Sequence, residues 1–400
     1  MDRPAIGIQN PTQKAEDPAR LPAPVLVDTP AAFEAFLAAV ASAKRLALDT
    51  ESDSLYRYFH KVCLIQVSTA QTDYLLDPLR IPDLQPLAPF MADAQIEKVF
   101  HAAENDILLL KRDFGFHFAN VFDTLVAARI LGRRSVGLAA LLRESFGVEL
   151  DKRMQLTDWG HRPLTPQQLS YARLDSHYLL PLRDLLADEL QRRRRWREAQ
   201  EAFAGLPDLE YTEKPYDPEG FWRSKVVRDL RPAELAVFRE LYLWRDQQAR
   251  ALNQPPFKIV TDQVLAELSQ RQPTRPADLG LPPRLVERFG PAILAAIARG
   301  RQAPAPQPPP RRHNSNGRPD PIVNIRYDRL RAWRARRAAE RGVDPDIIMN
   351  NEALLAIARA CPADLEALAG LGILGPWKLE EYGAELLAAL AESASSGDRD

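Results

Sequence analysis

The sequence predicts an α/β domain followed by an all-α half, and three observations carry that prediction. As far as about residue 200, short apolar runs alternate with segments of helical periodicity, the pattern of strands interleaved with helices. After residue 220 the strand signals fade, and leucine, alanine and arginine recur at helical spacing. The helical half also repeats itself. A shift of 89 positions superposes Trp244 and Arg245 on Trp333 and Arg334, Pro256 on Pro345, Asp262 on Asn351, Leu265 on Leu354, Leu268 on Ile357 and Pro273 on Pro362 without a gap. Further on, "RFGPAILAAI" matches "EYGAELLAAL" after a four-residue insertion.

In chain order, residues 1–23 are proline-broken and charged and read as a disordered leader. Strands are expected over 24–27, 45–51, 61–69, 72–77 and 97–102. Helices are expected over 30–42, 104–113, 124–131 and 137–146, with one long helix from 166 to about 198, several preceded by Asp, Thr or Ser in N-cap position. These elements make an α/β domain of residues 24–205. The two helical modules occupy 222–300 and 322–391, and "RQAPAPQPPPRRHNSNGRPD" (301–320) between them reads as a stiff, extended linker. A disordered tail is expected over 392–400.

A chain of 400 residues, 46% hydrophobic and 27% charged, has the composition of a soluble globular protein of more than one domain. The net charge of -1 supplies no global positive field, so any nucleic-acid contact has to come from local arginine clusters. Cys63 and Cys361 stand far apart, outside any CxxC or Cys/His cluster, which argues against a disulfide framework or a structural zinc site and fits a reducing cytosol. No apolar run approaches the roughly 20 residues that cross a bilayer. A cytoplasmic, monomeric protein with no membrane partner is expected.

The chemistry starts at "RLALDTES" (45–52). Side chains alternate faces along a strand, so Asp49 and Glu51 point one way and Leu46 and Leu48 the other. Alone, such a pair reads equally as a solvated strand end. Asp106 falls in the first turn of the helix "ENDILLLKRDF", where it could serve only the helix dipole. Tyr171 and Asp175 are spaced i, i+4 and share a helix face, which could be merely half-buried. Gathered in one cleft, the four carboxylates would repel strongly and need a cation, and hard oxygen ligands suit Mg²⁺ or Mn²⁺. A pair of such ions serves in-line phosphodiester hydrolysis. Asp123 reads as the cap of the helix that begins at Thr124, and His177, turned off the face of Tyr171 and Asp175, as packing or surface.

"LALDTES", "HAAENDILLLKRDFG", "VFDTLVAARIL" and "LSYARLDSHYLL", in this order, resemble the three motifs of the DEDDy class of 3′-to-5′ exonucleases, and "DWGHRPLTPQQLSYARLD" (158–175) resembles the ribonuclease D family in particular. Each helical repeat resembles an HRDC domain. The resemblance implies a ribonuclease H-like α/β exonuclease domain followed by two all-α HRDC domains. It implies that Asp49, Glu51, Asp106 and Asp175 hold two divalent ions, Mg²⁺ or Mn²⁺, and that Tyr171 orients or helps activate the attacking water. The implied activity is removal of mononucleotides from RNA 3′ ends, with precursor tRNA as substrate. A 3′-to-5′ DNA exonuclease and an inactive RNA-binding protein remain as alternatives.

Further RNA contacts are expected from His101, and from Leu55 or Tyr56, because Ser52 stands where bacterial members of the family commonly have phenylalanine. The helix "RYDRLRAWRARRAAERG" (326–342) carries seven arginines and a tryptophan, so Arg334 and Arg337 are candidates for phosphate contact or members of a solvated face. "QRRRRWREAQ" (191–200) reads as a solvated helix end or an interdomain contact.

Overall fold

The computed structural model describes residues 21–213, 215–308 and 320–391. The leader as far as residue 20, residues 309–319 of the linker and the tail 392–400 lie outside the described residues.

Six strands form one mixed sheet in the order β1-β4-β3-β2-β5-β6. They are β1 (Val25–Val27), β2 (Arg45–Ser52), β3 (Val62–Ser68), β4 (Asp73–Leu76), β5 (Glu97–Phe100) and β6 (Val121–Asp123). β1 runs parallel to β4 and β4 antiparallel to β3, while β2, β5 and β6 run parallel to one another. Strand β6 is absent from the sequence prediction, since three residues are too short for alternation to register. The structure adds it through pairing, with Phe100 opposite Asp123.

Helices α1 (Pro30–Val40), α2 (Ala88–Ala92), α3 (Glu104–Phe114), α4 (Thr124–Ile130) and α5 (Leu138–Phe146) pack around the sheet. The long helix expected from 166 is three: α6 (Pro166–His177), α7 (Leu179–Arg192) and α8 (Trp196–Ala204). Pro181 explains the first break, because it has no N–H for the carbonyl of His177 and its ring clashes with that group. Arg194, at φ 57°, makes the second.

Alternation along β2 divides the core. Leu46 and Leu48 pack with Phe33, Phe36, Ile107 and Leu110 on one face, while Ala47 packs with Val99, Phe122, Leu179 and Leu186 on the other. Asp49 and Glu51 continue the register of Ala47.

The chain divides into two compact units, the first holding the sheet together with the second helical repeat and the second holding residues 52–61 together with the first repeat. The first repeat comprises α9 (Pro232–Ala251), α10 (Pro256–Ile259), α11 (Asp262–Arg271) and α12 (Pro283–Gln302). Within that unit the Tyr58 hydroxyl donates to Asp246 at 2.7 Å and the Phe59 N–H to Asn253 at 2.9 Å.

The second repeat comprises α13 (Pro321–Arg341), α14 (Pro345–Ile348), α15 (Asn351–Ala360), α16 (Leu365–Gly370) and α17 (Pro376–Ala391). The 89-residue shift seen in the sequence holds in the backbone: Gln272 and Cys361 end equivalent helices at φ 46° and 44°. It also holds in the side chains. Arg245 donates to the Val260 carbonyl and pairs with Asp262, while Arg334 donates to the Met349 carbonyl and to Asn351. Trp244 meets Phe289 edge-on as Trp333 meets Tyr382.

Within the first unit the arginine-rich stretch 191–200 is a contact with the second repeat. Glu198 pairs with Arg341, Arg197 with Glu380, and Arg195 donates to the Arg341 carbonyl. The Glu201 carboxylate accepts from the backbone N–H groups of Trp377 and Lys378, where α17 begins, a negative charge at a helix N-terminus.

Candidate active site

Three elements bring the acids together. β2 carries Asp49 and Glu51 on one face. α3 places Asp106 in its first turn, where its carboxylate accepts from the Thr50 hydroxyl at 2.5 Å. α6 begins in a capping box between Thr165 and Gln168 with a proline in its first turn, and its pitch sets Tyr171 and Asp175 one turn apart on the buried face. Tyr171 rests against Trp159, ring centroids 6.2 Å apart. The loop bearing Trp159 is stapled by Arg162, which donates to both oxygens of buried Asp77 and to the carbonyls of Cys63 and Trp159.

Asp49, Glu51 and Asp175 each bring a carboxylate oxygen within 4.8 Å of the others. With Asp106, Tyr171 and His101 they line a cavity of about 470 Å³. Neither lysine nor arginine stands among its lining residues. Burial raises all four acids, and their mutual repulsion adds to it. Asp49 is pushed well above the carboxylate range by burial, then by Asp106, Asp175 and Glu51. Glu51 is pushed up to about 9 by burial, then by Asp175 and Asp106. Asp106 and Asp175 are pushed up to about 7, chiefly by burial. The Tyr171 phenol is raised by burial and by the charge of Asp175, to which it donates a hydrogen bond.

Two like charges at that separation cost about 3–4 kcal/mol at an effective dielectric near 20. A set of hard oxygen donors, buried and without a protein cation, fits Mg²⁺ or Mn²⁺.

The remaining candidates fall in several places. His101 lines the cavity, its Nδ1 2.9 Å from the Thr124 hydroxyl. Leu55 and Tyr56 belong to the second unit, where the Lys258 ammonium lies 3.4 Å above the Tyr56 ring. Arg334 is held by the internal bonds described above, and Arg337 pairs with Glu340, Glu381 and Glu385. Asp123 caps α4, accepting from Leu125 and Val126, and also takes the N–H groups of Ala102 and Ala103. His177 bonds Asp73 at 2.9 Å, away from the acids.

Sequence reasoning missed Asn105, Leu138, Leu150 and Gln155, which complete the cavity wall. Asn105 could have been found beside Asp106. The others come from separate loops and helix ends and share no motif.

A 3′-5′ exonuclease family model matches residues 24–191, and an HRDC domain model matches twice, at 234–297 and 325–390. Ribonuclease D of Pseudomonas paraeruginosa is 31% identical over 87% of this chain and 92% of its own length. Ribonuclease D of Granulibacter bethesdensis is 29% identical over 92% and 93%. The exosome complex component 10 homolog of Caenorhabditis elegans is 34% identical over 64% of this chain, a match that spans only 29% of that protein. Among solved structures, the catalytic core of RRP6 from Trypanosoma brucei superposes with a TM-score of 0.64 at 27% identity, covering 70% of this chain and 80% of that one. Escherichia coli RNase D shares the fold at 23% identity, with a TM-score of 0.58 over 92% of this chain and 99% of that one.

Proposed function

The chain belongs to the ribonuclease D family of 3′-to-5′ exoribonucleases, and on that premise we propose that Asp49, Glu51, Asp106, Tyr171 and Asp175 carry out metal-dependent release of mononucleotides from RNA 3′ ends. The observation that carries this reading is the buried, cation-free cluster of Asp49, Glu51 and Asp175. These three, with Asp106, would hold two divalent ions. When bound, the ions supply the positive charge that stabilises the attacking and departing oxygens of the phosphodiester.

The chain's own residues do the rest. The rigid register of β2 holds two carboxylates at fixed separation, so little reorganisation is needed at the reacting centre. The Tyr171 phenol, kept protonated by burial and by Asp175, donates a hydrogen bond and orients the incoming water rather than acting as its base. The substrate we assign is a 3′-extended structured RNA of the precursor-tRNA kind, by analogy with the family. Of the outlying RNA-contact candidates only His101 is retained, because it alone lines the cavity with the acids.

The test is digestion of matched 3′-extended tRNA and single-stranded DNA with Mg²⁺ or Mn²⁺, products resolved by length. The expected result is stepwise loss of mononucleotides from the RNA, abolished by EDTA and by the double substitution Asp49→Asn, Asp175→Asn. Full activity in that double variant would overturn the site, and equal digestion of the DNA would overturn the substrate.

A further inference from the structure

The protonation of His101 can be deduced from its neighbour. The Thr124 hydroxyl lies 3.0 Å from the carbonyl oxygen of Phe100, which has no hydrogen to give, so the hydroxyl's single proton goes there. The same hydroxyl oxygen lies 2.9 Å from His101 Nδ1. With its proton committed, the oxygen can only accept, and Nδ1 must carry a hydrogen. Burial also pushes His101 down to about 4, so the ring is neutral near pH 7. A neutral imidazole protonated on Nδ1 has a bare lone pair on Nε2. No protein group among the described residues bonds that nitrogen, and the ring borders the cavity that holds the four carboxylates.

A bare lone pair has nothing to offer a phosphate oxygen, which brings no hydrogen. It calls for a donor. On the nucleotide being removed, donors are found on the base edge and on the ribose. Base donors differ among the four nucleotides, whereas ribose hydroxyls are the same in all, and an enzyme that strips successive nucleotides needs the invariant group. We infer that His101 Nε2 accepts a hydrogen bond from a ribose hydroxyl of the 3′-terminal nucleotide, which makes His101 a specificity-determining residue and Thr124 the positioning residue that fixes its tautomer. The inference rests on the exoribonuclease reading above. If the hydroxyl is the 2′ group, His101 selects RNA over DNA; if it is the 3′ group, His101 selects a free 3′ end.

The test uses the full chain and oligoribonucleotides that differ only in the last sugar: unmodified, 2′-deoxy or 3′-deoxy. The kcat/KM for release of the first nucleotide is measured with Mg²⁺, and equilibrium binding of the same oligonucleotides is followed by fluorescence anisotropy. The wild-type chain should prefer the unmodified end over one of the two deoxy ends by about tenfold, the loss of one neutral hydrogen bond. That ratio should fall to about one in His101→Ala and in Thr124→Val, and Thr124→Ser should keep it, since serine retains the accepting hydroxyl. Should His101→Ala fail to fold, the Thr124→Val and Thr124→Ser pair decides by itself. An unchanged ratio in folded variants, or a ratio that follows the terminal base instead of its sugar, would overturn the inference. A wild-type chain that hydrolyses nothing would count against the exoribonuclease reading, and the binding ratios would still decide this one.

Discussion

Asp175 and Glu198 are both acids on helices of the first unit, 6% and 2% exposed, yet their surroundings are opposite. Glu198 meets the Arg341 guanidinium, which itself also donates to the Tyr382 hydroxyl. Burial pushes Glu198 up and Arg341 pulls it back, so the pair recovers only part of what desolvation costs. Burial likewise works against the Arg341 charge, and the Glu198 carboxylate more than offsets it. Asp175 instead meets Tyr171 and other acids. A compensated buried charge joins two parts of a fold, while an uncompensated cluster persists only if something outside the chain neutralises it.

The largest effect should come from removing the uncompensated charge. Asp49→Asn with Asp175→Asn should lower kcat/KM on RNA by on the order of 10³-fold, while thermal unfolding of the metal-free protein moves to higher temperature because repulsion is relieved. A lower unfolding temperature would break the contrast with Glu198. Breaking the compensated pair should do the reverse. Arg341→Met strands Glu198 and should cost about 3–5 kcal/mol in urea unfolding, whereas adding Glu198→Leu should recover most of the loss.

The pH dependence sharpens the same contrast. Carboxyl groups whose folded values are raised bind more protons in the folded state. Their contribution to stability is therefore fully present below the ordinary carboxylate range and is lost as pH rises through the folded values, about 7 for Asp106 and Asp175 and about 9 for Glu51. The metal-free protein should lose thermal stability between about pH 5 and 9. Mg²⁺ or Mn²⁺ should restore more of it at pH 8 than at pH 5.5, because the ions bind the deprotonated acids. Equal stabilisation at both pH values would argue against these acids as ligands.

The smallest effect belongs to a third kind of buried acid. Asp123 is compensated by four backbone N–H groups instead of a cation. Asp123→Ala should cost about 1–2 kcal/mol of stability, as the loss of a helix cap does.

Much of the site was legible before the fold was known. The period of two along β2 pairs Asp49 with Glu51, the i, i+4 spacing pairs Tyr171 with Asp175, and the Phe-Asp-Thr run marks Asp123 as a cap. Other features were not legible. Strand β6 exists only through its pairing with β5. The wall formed by Leu138, Leu150 and Gln155 has no motif. Arginines 334 and 337 look alike in sequence, but one completes a structural bond repeated in both helical copies and the other sits among three glutamates.

The sequence by itself determined the elements, the duplication and the membership of the acidic set, because strand alternation, helical pitch and repeats relate residues by fixed offsets along one chain. Only the tertiary structure decided which charges find a counter-charge, which arginines are engaged inside the fold, and which nitrogen of His101 carries its hydrogen. Those outcomes depend on contacts of a few ångströms between residues as distant in sequence as Glu198 and Arg341, and no local pattern encodes such distances.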